Sequence, residues 1–218
     1  RLVGSEMCIR DRSNGRLLPA FGVGSAQSRD YVATGTPTKG RGKRTDEGLE
    51  IMARLWSEDR VSFSGDYYTL DDATIAPKPV QSPLPLWVGG SAAAAIERTA
   101  RWGTGWQAGI ESAAEVAPVI TAIKQRAAEL GRKIDDDHFG AGFGFRFGKH
   151  DEPLVARYNE QFEKRLGKDP AAYSAIGDVE DMMALVKDFH AAGVHKFVLR
   201  PIAAGTEDML EQTRLMVE

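Results

Sequence analysis

Three consecutive small residues, Gly89, Gly90 and Ser91, carry the clearest chemical signal in the chain. They follow a short apolar run that predicts a buried strand, and they precede an alanine-rich run that predicts a helix over residues 92–100. Two glycines let the backbone approach a ligand closely, and the N–H groups of a helix N-terminus attract negative charge. With Ser91 as N-cap residue, the turn predicts a phosphate site, although an ordinary tight turn would use the same residues.

Three further groups are candidates for the same site. A similar glycine-rich loop follows the preceding predicted strand, at Gly22, Val23, Gly24 and Ser25. Trp106 begins the strand after the helix, where its side chain either lines a pocket or lies in the core. Arg200 follows the last predicted strand, where its guanidinium either binds an anion or forms a salt bridge at the surface.

Side chains that could act as nucleophile, base or metal ligand do not stand out. The only cysteine is Cys8, near the N-terminus. His138 and His150 lie in polar segments without the spacing of metal ligands, and we predict that they are solvated. His195 precedes the last predicted strand, where a structural role is expected. This pattern predicts no bound metal and suits a protein whose reaction is carried by a bound cofactor.

The elements that must position these residues alternate between strand and helix. Five strands are predicted, at residues 17–23, at 84–88, from Trp106 onward, at 139–147 and at 197–199. Helices are predicted at residues 45–58, 92–100, 111–130, 178–192 and 206–217. Thr45 is the expected N-cap of the helix over residues 45–58, and Gly65-Asp66 is the expected turn of a hairpin over residues 61–70. Alternation of this kind predicts an α/β fold with a parallel sheet.

Five segments occur in an order and at a spacing typical of one protein family. They are RLLPAFGVGSA at 16–26, KGRGKRTDEGLEIMARLW at 39–56, FSGDYYTL at 63–70 with APKPVQSPLPLWVGG at 76–90, GTGW at 103–106, and AAGVHKFVLRP at 191–201. Over residues 14–218 the chain resembles the bacterial-luciferase-like family of flavin- and F420-dependent oxidoreductases.

The resemblance implies a (β/α)8 TIM barrel of the luciferase-like type, of which this chain holds only about strands four to eight. Residues 14–218 would then be the C-terminal part of a longer enzyme. Residues 2–11 resemble one reading frame of a sequencing adapter, so we interpret residues 1–13 as an artefact or a disordered tail. In the family, the turn at Gly89, Gly90 and Ser91 holds the cofactor phosphate, and the loop at residues 22–25 lies beside the cofactor ring or its phosphate.

The implied function is that of an oxidoreductase or monooxygenase that uses reduced FMN or coenzyme F420 on a small organic substrate. The choice between FMN and F420 stays open, and the fragment alone is expected to be inactive. One alternative is a flavin-binding partial barrel without turnover. Another is a sugar-phosphate isomerase or aldolase barrel, which shares the phosphate turn but should carry a lysine or glutamate at a strand end.

Composition narrows the range of partners. The chain is 42% hydrophobic and 27% charged, with a formal net charge of −3, which argues against a general nucleic-acid surface. Its apolar runs are shorter than a membrane span needs. We therefore expect a cytoplasmic protein with a small-molecule substrate and no nucleic-acid or membrane partner, and a homodimer is left open for the full-length protein.

Overall fold

The structure is a computed structural model that describes residues 9–218, and it falls into two units. The first unit contains the chain up to Gln107 together with Ile123–Ile134, and the second contains Ala108–Ala122 and Asp135–Glu218. Most of the segment that we interpret as an artefact or tail, residues 1–8, lies outside the described residues. Residues 9–12 are helical, and the Arg10 guanidinium donates to Gln81 Oε1 at 2.7 Å. The origin of this segment stays a prediction.

Three short parallel strands form the sheet of the first unit, in the order β1, β4, β5. They are β1 (Ala20–Phe21), β4 (Trp87–Gly89) and β5 (Gly105–Gln107), and the helices of this unit are α1 (Arg29–Ala33), α2 (Arg41–Ser57) and α3 (Ala93–Trp102). β1 is much shorter than the predicted strand over residues 17–23. One apolar cluster joins α2 to β4, with Leu49 and Trp56 packed against Leu86 and Val88. Each fully buried side chain of this kind stabilises the fold by roughly 1.5–3 kcal/mol.

Helix α2 begins four residues before its predicted start. Its N-cap is Gly40, which has a left-handed φ of 74°, and Thr45 lies inside the helix with its hydroxyl donating to the Arg41 carbonyl at 2.9 Å. The prediction of Thr45 as N-cap was therefore wrong. Glycine at residue 40 allows the chain to turn into the helix earlier than the threonine signal suggests.

The hairpin consists of β2 (Val61–Ser64) and β3 (Thr69–Ala73), which pair antiparallel as predicted. Its turn is held by Glu47 of α2, whose carboxylate accepts hydrogen bonds from the backbone N–H groups of Asp66, Tyr67 and Tyr68 at 2.8–3.0 Å. A carboxylate that accepts several backbone N–H groups forms charge-assisted hydrogen bonds, so the turn is fastened to the helix.

The second unit is built around β6 (Phe139–Phe147), which pairs in parallel with both β7 and β8. The other elements are β7 (Ser174–Gly177), β8 (Lys196–Pro201), α5 (Pro153–Leu166), α6 (Val179–Ala191), α7 (Thr206–Val217) and short 3-10 helices at Asp136–His138 and Pro170–Ala172. Helix α4 (Ala113–Glu129) begins in this unit and ends in the first. The five predicted strands did not include β7, because its four residues, Ser-Ala-Ile-Gly, are too few to show a periodic pattern.

Phenylalanine and glycine alternate along β6 for a steric reason. Phe143 is fully buried, and its ring stacks on Phe189 of α6 with centroids 5.9 Å apart. On the other face, a Cβ placed on Gly142 would lie 2.3 Å from the carbonyl oxygen of Val198 in β8. The strand therefore uses large side chains on one face and bare backbone where β8 passes.

Candidate functional site

The turn between β4 and α3 follows the carboxyl end of a buried strand. β4 ends at Gly89, Gly90 has a φ of +107°, and α3 begins at Ala93. The N-cap residue is Ala92, so the prediction of Ser91 as N-cap was wrong. One more extended residue lies between the glycines and the helix than the sequence suggested, and Ser91 therefore precedes the cap.

The two glycines of this turn are not equivalent. Gly90 has a backbone conformation that L residues rarely adopt, and a Cβ at this position would lie 3.2 Å from Ala95 Cβ. A Cβ on Gly89 would meet the Gln107 carbonyl oxygen at 3.5 Å, an ordinary contact. The turn therefore depends on glycine at position 90 and tolerates a side chain at position 89.

The N-terminus of α3 is open to an anion. Ser91, Ala92, Ala93 and Ala94 are exposed, the first turn of the helix contains no acidic residue, and the N-cap residue Ala92 makes no side-chain hydrogen bond. The first N–H groups of a helix have no partner within the helix and carry partial positive charge. A phosphate at this place would accept those N–H groups without competing with a protein carboxylate.

The first acidic residue of α3, Glu97, is engaged elsewhere. Its carboxylate pairs with Arg126 at 2.6 Å and with Arg101 at 2.5 Å. The hydrogen bond from Arg126, followed by that from Arg101, lowers the pKa of Glu97 to about 2. The charge of this residue is thus neutralised by two arginines.

Trp106 lies in the core and contacts the turn through its one polar atom. The side chain is fully buried, and its indole Nε1–H donates to the Gly90 carbonyl oxygen at 2.8 Å. β5 runs beside β4 with Trp106 opposite Val88, which brings the indole under the turn. Direct contact of Trp106 with a cofactor stays a prediction.

The loop with Gly22, Val23, Gly24 and Ser25 leaves the carboxyl end of β1, the strand that pairs with β4. Gly24 has a left-handed φ of +74°, and the Tyr31 hydroxyl donates to the Val23 carbonyl oxygen. Parallel neighbouring strands end on the same edge of a sheet, so this loop and the Gly90 turn lie at one edge of the first unit. Their role in binding a cofactor stays a prediction.

A cavity of about 510 Å³ lies at the carboxyl ends of β6 and β8 in the second unit. Arg200 lines it together with Arg157, Tyr158 and Gln161 of α5, and none of the described residues around it is acidic. Burial raises the pKa of the Tyr158 phenol, which stays protonated as a hydrogen-bond donor. The cavity is therefore cationic and rich in donors. Sequence reasoning found Arg200 but missed Arg157 and Tyr158, which lie in a helix with no distinguishing motif.

Two other polar groups have structural partners. The Arg146 guanidinium pairs with Glu152 at 2.7 Å and with Asp208 at 3.0 Å, which ties β6 to the starts of α5 and α7. The His195 ring lies 4.8 Å from that of His190, just before β8. His195 therefore lies at the end of β8 opposite Arg200, as its position before the last predicted strand indicates, and its structural role stays a prediction.

One group of possible metal ligands occurs among the described residues. Ligand atoms of Asp135, Asp137 and His138 lie within 4.8 Å of one another, before the amino end of β6. Both aspartates are exposed, and Asp137 pairs with Lys196 at 3.1 Å. Because Lys196 already balances one carboxylate, the group has less affinity for a cation than its composition suggests.

None of the helices in residues 9–218 combines the length and the apolar character that a membrane crossing needs.

Parallel strands that alternate with helices define an α/β protein, a class of fold in which ligands commonly bind at the carboxyl ends of the strands. Residues 9–212 match the model of the luciferase-like monooxygenase family. The chain belongs to that family.

Relatives of known sequence extend this result. An F420-dependent glucose-6-phosphate dehydrogenase of Intrasporangium calvum is 38% identical over 210 residues, which cover 94% of this chain and 61% of that protein. A protein of the same description from Kineococcus radiotolerans is 26% identical over 187 residues, 84% of this chain and 54% of that protein. The chain thus spans little more than half the length of these relatives.

Solved structures with the same fold include an F420-dependent secondary alcohol dehydrogenase in complex with an F420-acetone adduct. It is 20% identical, with a TM-score of 0.78, and covers 98% of this chain and 72% of its own. The F420-dependent tetrahydromethanopterin reductase of Methanopyrus kandleri is 18% identical, with a TM-score of 0.74, covering 97% and 76%. The predicted α/β fold of the luciferase-like type is confirmed.

Proposed function

We propose that this protein acts in an F420- or FMN-dependent oxidoreductase and that the turn from Gly89 to Ala94 binds the cofactor phosphate. The observation that carries the proposal is the N-terminus of α3, which is exposed, has an alanine as its N-cap residue and has no acidic residue in its first turn. Helices α4, α6 and α7 begin with a side-chain cap or with acidic residues in the first turn, whereas α2, α3 and α5 do not. Of these three, α3 directly follows the Gly90 turn at the carboxyl end of β4, a position that suits a phosphate.

The residues present fit such a cofactor. Gly90 brings backbone to the surface where a Cβ would crowd Ala95, and the loop with Gly22, Val23, Gly24 and Ser25 lies at the same edge of the sheet. Bound F420 supplies hydride transfer, and reduced FMN supplies the reaction with oxygen. The part of this chain is to hold the phosphate with N–H groups and to present the loop of residues 22–25 toward the rest of the cofactor.

F420 is the cofactor that the relatives favour. The dehydrogenases that align with most of this chain are described as F420-dependent. Hydride transfer with F420 is therefore our first proposal. Oxygen chemistry with reduced FMN is the second, since the matching family model is that of luciferase-like monooxygenases.

The substrate we propose is a small organic molecule with an anionic group. The cavity lined by Arg157, Tyr158 and Arg200 offers two guanidinium groups and a protonated phenol. Guanidinium groups form paired hydrogen bonds with carboxylates and phosphates. A relative described as a glucose-6-phosphate dehydrogenase is consistent with this choice.

The proposal is tested by placing a carboxylate or a matched amide at the N-cap. Aspartate and asparagine cap helices equally well, so Ala92→Asp and Ala92→Asn should both stabilise α3, by about 0.5–2 kcal/mol. Both side chains accept hydrogen bonds from the same backbone N–H groups of α3, but only the aspartate carries a negative charge that repels phosphate. We expect Ala92→Asp to bind F420 and FMN at least about tenfold more weakly than Ala92→Asn, which corresponds to about 1.4 kcal/mol.

The measurement is a fluorescence titration of each variant with both cofactors, with thermal unfolding as the check on the cap. Equal affinities of the two variants would place the phosphate elsewhere. Failure of the unchanged protein to bind either cofactor would refute the proposed function of this chain.

A further inference from the structure

The indole of Trp106 donates its N–H group to the Gly90 carbonyl, and both groups lie at the turn where we propose that phosphate binds. Trp106 is fully buried, and the bond is 2.8 Å long. A buried indole N–H without a partner would be costly, so it must meet an acceptor. Here the acceptor is the carbonyl of the one residue whose backbone conformation the turn requires.

The bond fixes the direction of the next N–H group. In a trans peptide the carbonyl and the following N–H point in opposite directions. Because the Gly90 carbonyl points to the buried indole, the N–H of Ser91 points away from the core. The exposed side of the turn is where Ser91, Ala92 and Ala93 lie. The bond also turns a carbonyl dipole away from the place where an anion would sit.

Glycine alone does not hold this arrangement. Gly90 has a φ of +107°, and a residue without Cβ moves readily between backbone conformations. The register of β4 and β5 places Trp106 opposite Val88, two residues before Gly90. The neighbouring strand therefore supplies the constraint that the glycine pair lacks.

We propose that Trp106 is a positioning residue for the phosphate turn: its indole N–H holds the Gly90 carbonyl inward so that the N–H groups of the turn face the anion. This inference rests on the proposed function. It assigns Trp106 a role through Gly90 and requires no contact between the indole and the cofactor.

The test compares ligands with and without a phosphate. Trp106→Phe removes the donor and keeps an aromatic ring in the core. We expect this variant to bind FMN about tenfold more weakly and to bind riboflavin, which lacks the phosphate, within about twofold of the unchanged protein. F420 and its phosphate-free deazaflavin chromophore should behave in the same way. Trp102→Phe, at a half-buried tryptophan of α3, is the matched control and should leave both ratios unchanged.

The outcomes separate the two proposals. If the unchanged protein binds FMN and F420 no better than their phosphate-free counterparts, the phosphate site itself is wrong. If it prefers the phosphate and Trp106→Phe keeps that preference, only the role of Trp106 is wrong. An equal loss for both members of a pair would mean that the substitution damages packing alone, which also overturns the role.

A second measurement is made on the unchanged protein and does not need the Trp106→Phe variant. The chain has four tryptophans, so the indole N–H resonance of Trp106 can be assigned by elimination with substitutions at Trp56, Trp87 and Trp102. Inorganic phosphate added to the unchanged protein should shift the Trp106 resonance and leave that of Trp56 in place. A Trp106 resonance that does not respond to phosphate would overturn the proposal.

Discussion

The β4–α3 turn of the first unit and the β7–α6 turn of the second use glycine in the same way and treat the helix N-terminus differently. Gly90 and Gly177 both have positive φ, at +107° and +143°. In the second unit, Asp178 caps α6 by accepting from the N–H groups of Glu180 and Asp181, and the Asp181 side chain accepts from the Asp178 N–H. The N-terminus of α6 is thus satisfied by carboxylates of the chain.

At α3 the N-cap residue is Ala92, and the first turn of the helix contains no acidic residue. A glycine turn before a helix therefore does not by itself make an anion site. The residues at the cap and in the first turn make the difference. Two aspartates accept the first N–H groups of α6, whereas the alanines at the start of α3 offer no side-chain acceptor.

The largest effect should come from the glycine that the first turn requires. Gly90→Ala forces a Cβ into a left-handed conformation and against Ala95, which should destabilise the first unit by about 1–2 kcal/mol. We expect affinity for F420 or FMN to fall more than about tenfold, because the N–H groups of the turn lose their direction. Gly89→Ala is the matched control and should stay within about twofold. Denaturant unfolding and cofactor titration of both variants measure this, and equal behaviour would refute the distinction between the two glycines.

A smaller effect is expected from removing the cap in the second unit. Asp178→Ala deletes the acceptor for two N–H groups of α6 and should cost about 1 kcal/mol of unfolding free energy, whereas Asp178→Asn keeps most of the cap. Neither should change cofactor affinity. Urea unfolding gives the stability difference. Loss of F420 or FMN binding in Asp178→Ala would show that the two turns are not functionally separate.

The smallest effect concerns Glu97, whose pKa is lowered from 4.5 to about 2 by Arg126 and Arg101. A carboxyl with a lowered pKa in the folded state stabilises the protein above its ordinary pKa, and this contribution is lost as the pH falls through the folded value. The melting temperature of Glu97→Gln should therefore lie slightly below that of the unchanged protein at pH 7. The gap should narrow between pH 4.5 and about pH 2, and a gap that widens on acidification would contradict the assignment.

Periodic segments were the ones that the sequence predicted well. The alternation over residues 139–147 and the apolar spacing of residues 206–217 gave β6 and α7 with the bounds that the structure has, because each pattern spans several repeats. β7 was missed because a strand of four residues is too short to show a period. The N-caps at Thr45 and Ser91 were wrong because helix starts depend on backbone geometry at Gly40 and Gly90.

The candidate site was predictable only as far as local sequence reaches. Gly90 and the alanines after it predict a turn that leads from a strand into a helix, and the structure has that turn. The family that the resemblance implied is confirmed, and the binding of an anion at the turn stays a prediction. The bond from Trp106 to the Gly90 carbonyl was not predictable, since it depends on the register between β4 and β5. The cationic cavity was missed for the same reason, because Arg157 and Arg200 lie 43 positions apart and meet only in the folded second unit.

The hydrogen bonds from the hairpin turn to the Glu47 carboxylate constrain which positions can vary among homologues. The carboxylate holds Asp66, Tyr67 and Tyr68 through their backbone N–H groups, so this contact does not depend on which side chains these three residues carry. Gly65 is constrained, because a Cβ there would lie 2.5 Å from the Glu47 carboxyl carbon. Positions 47 and 65 should therefore change together or not at all from one homologue to the next.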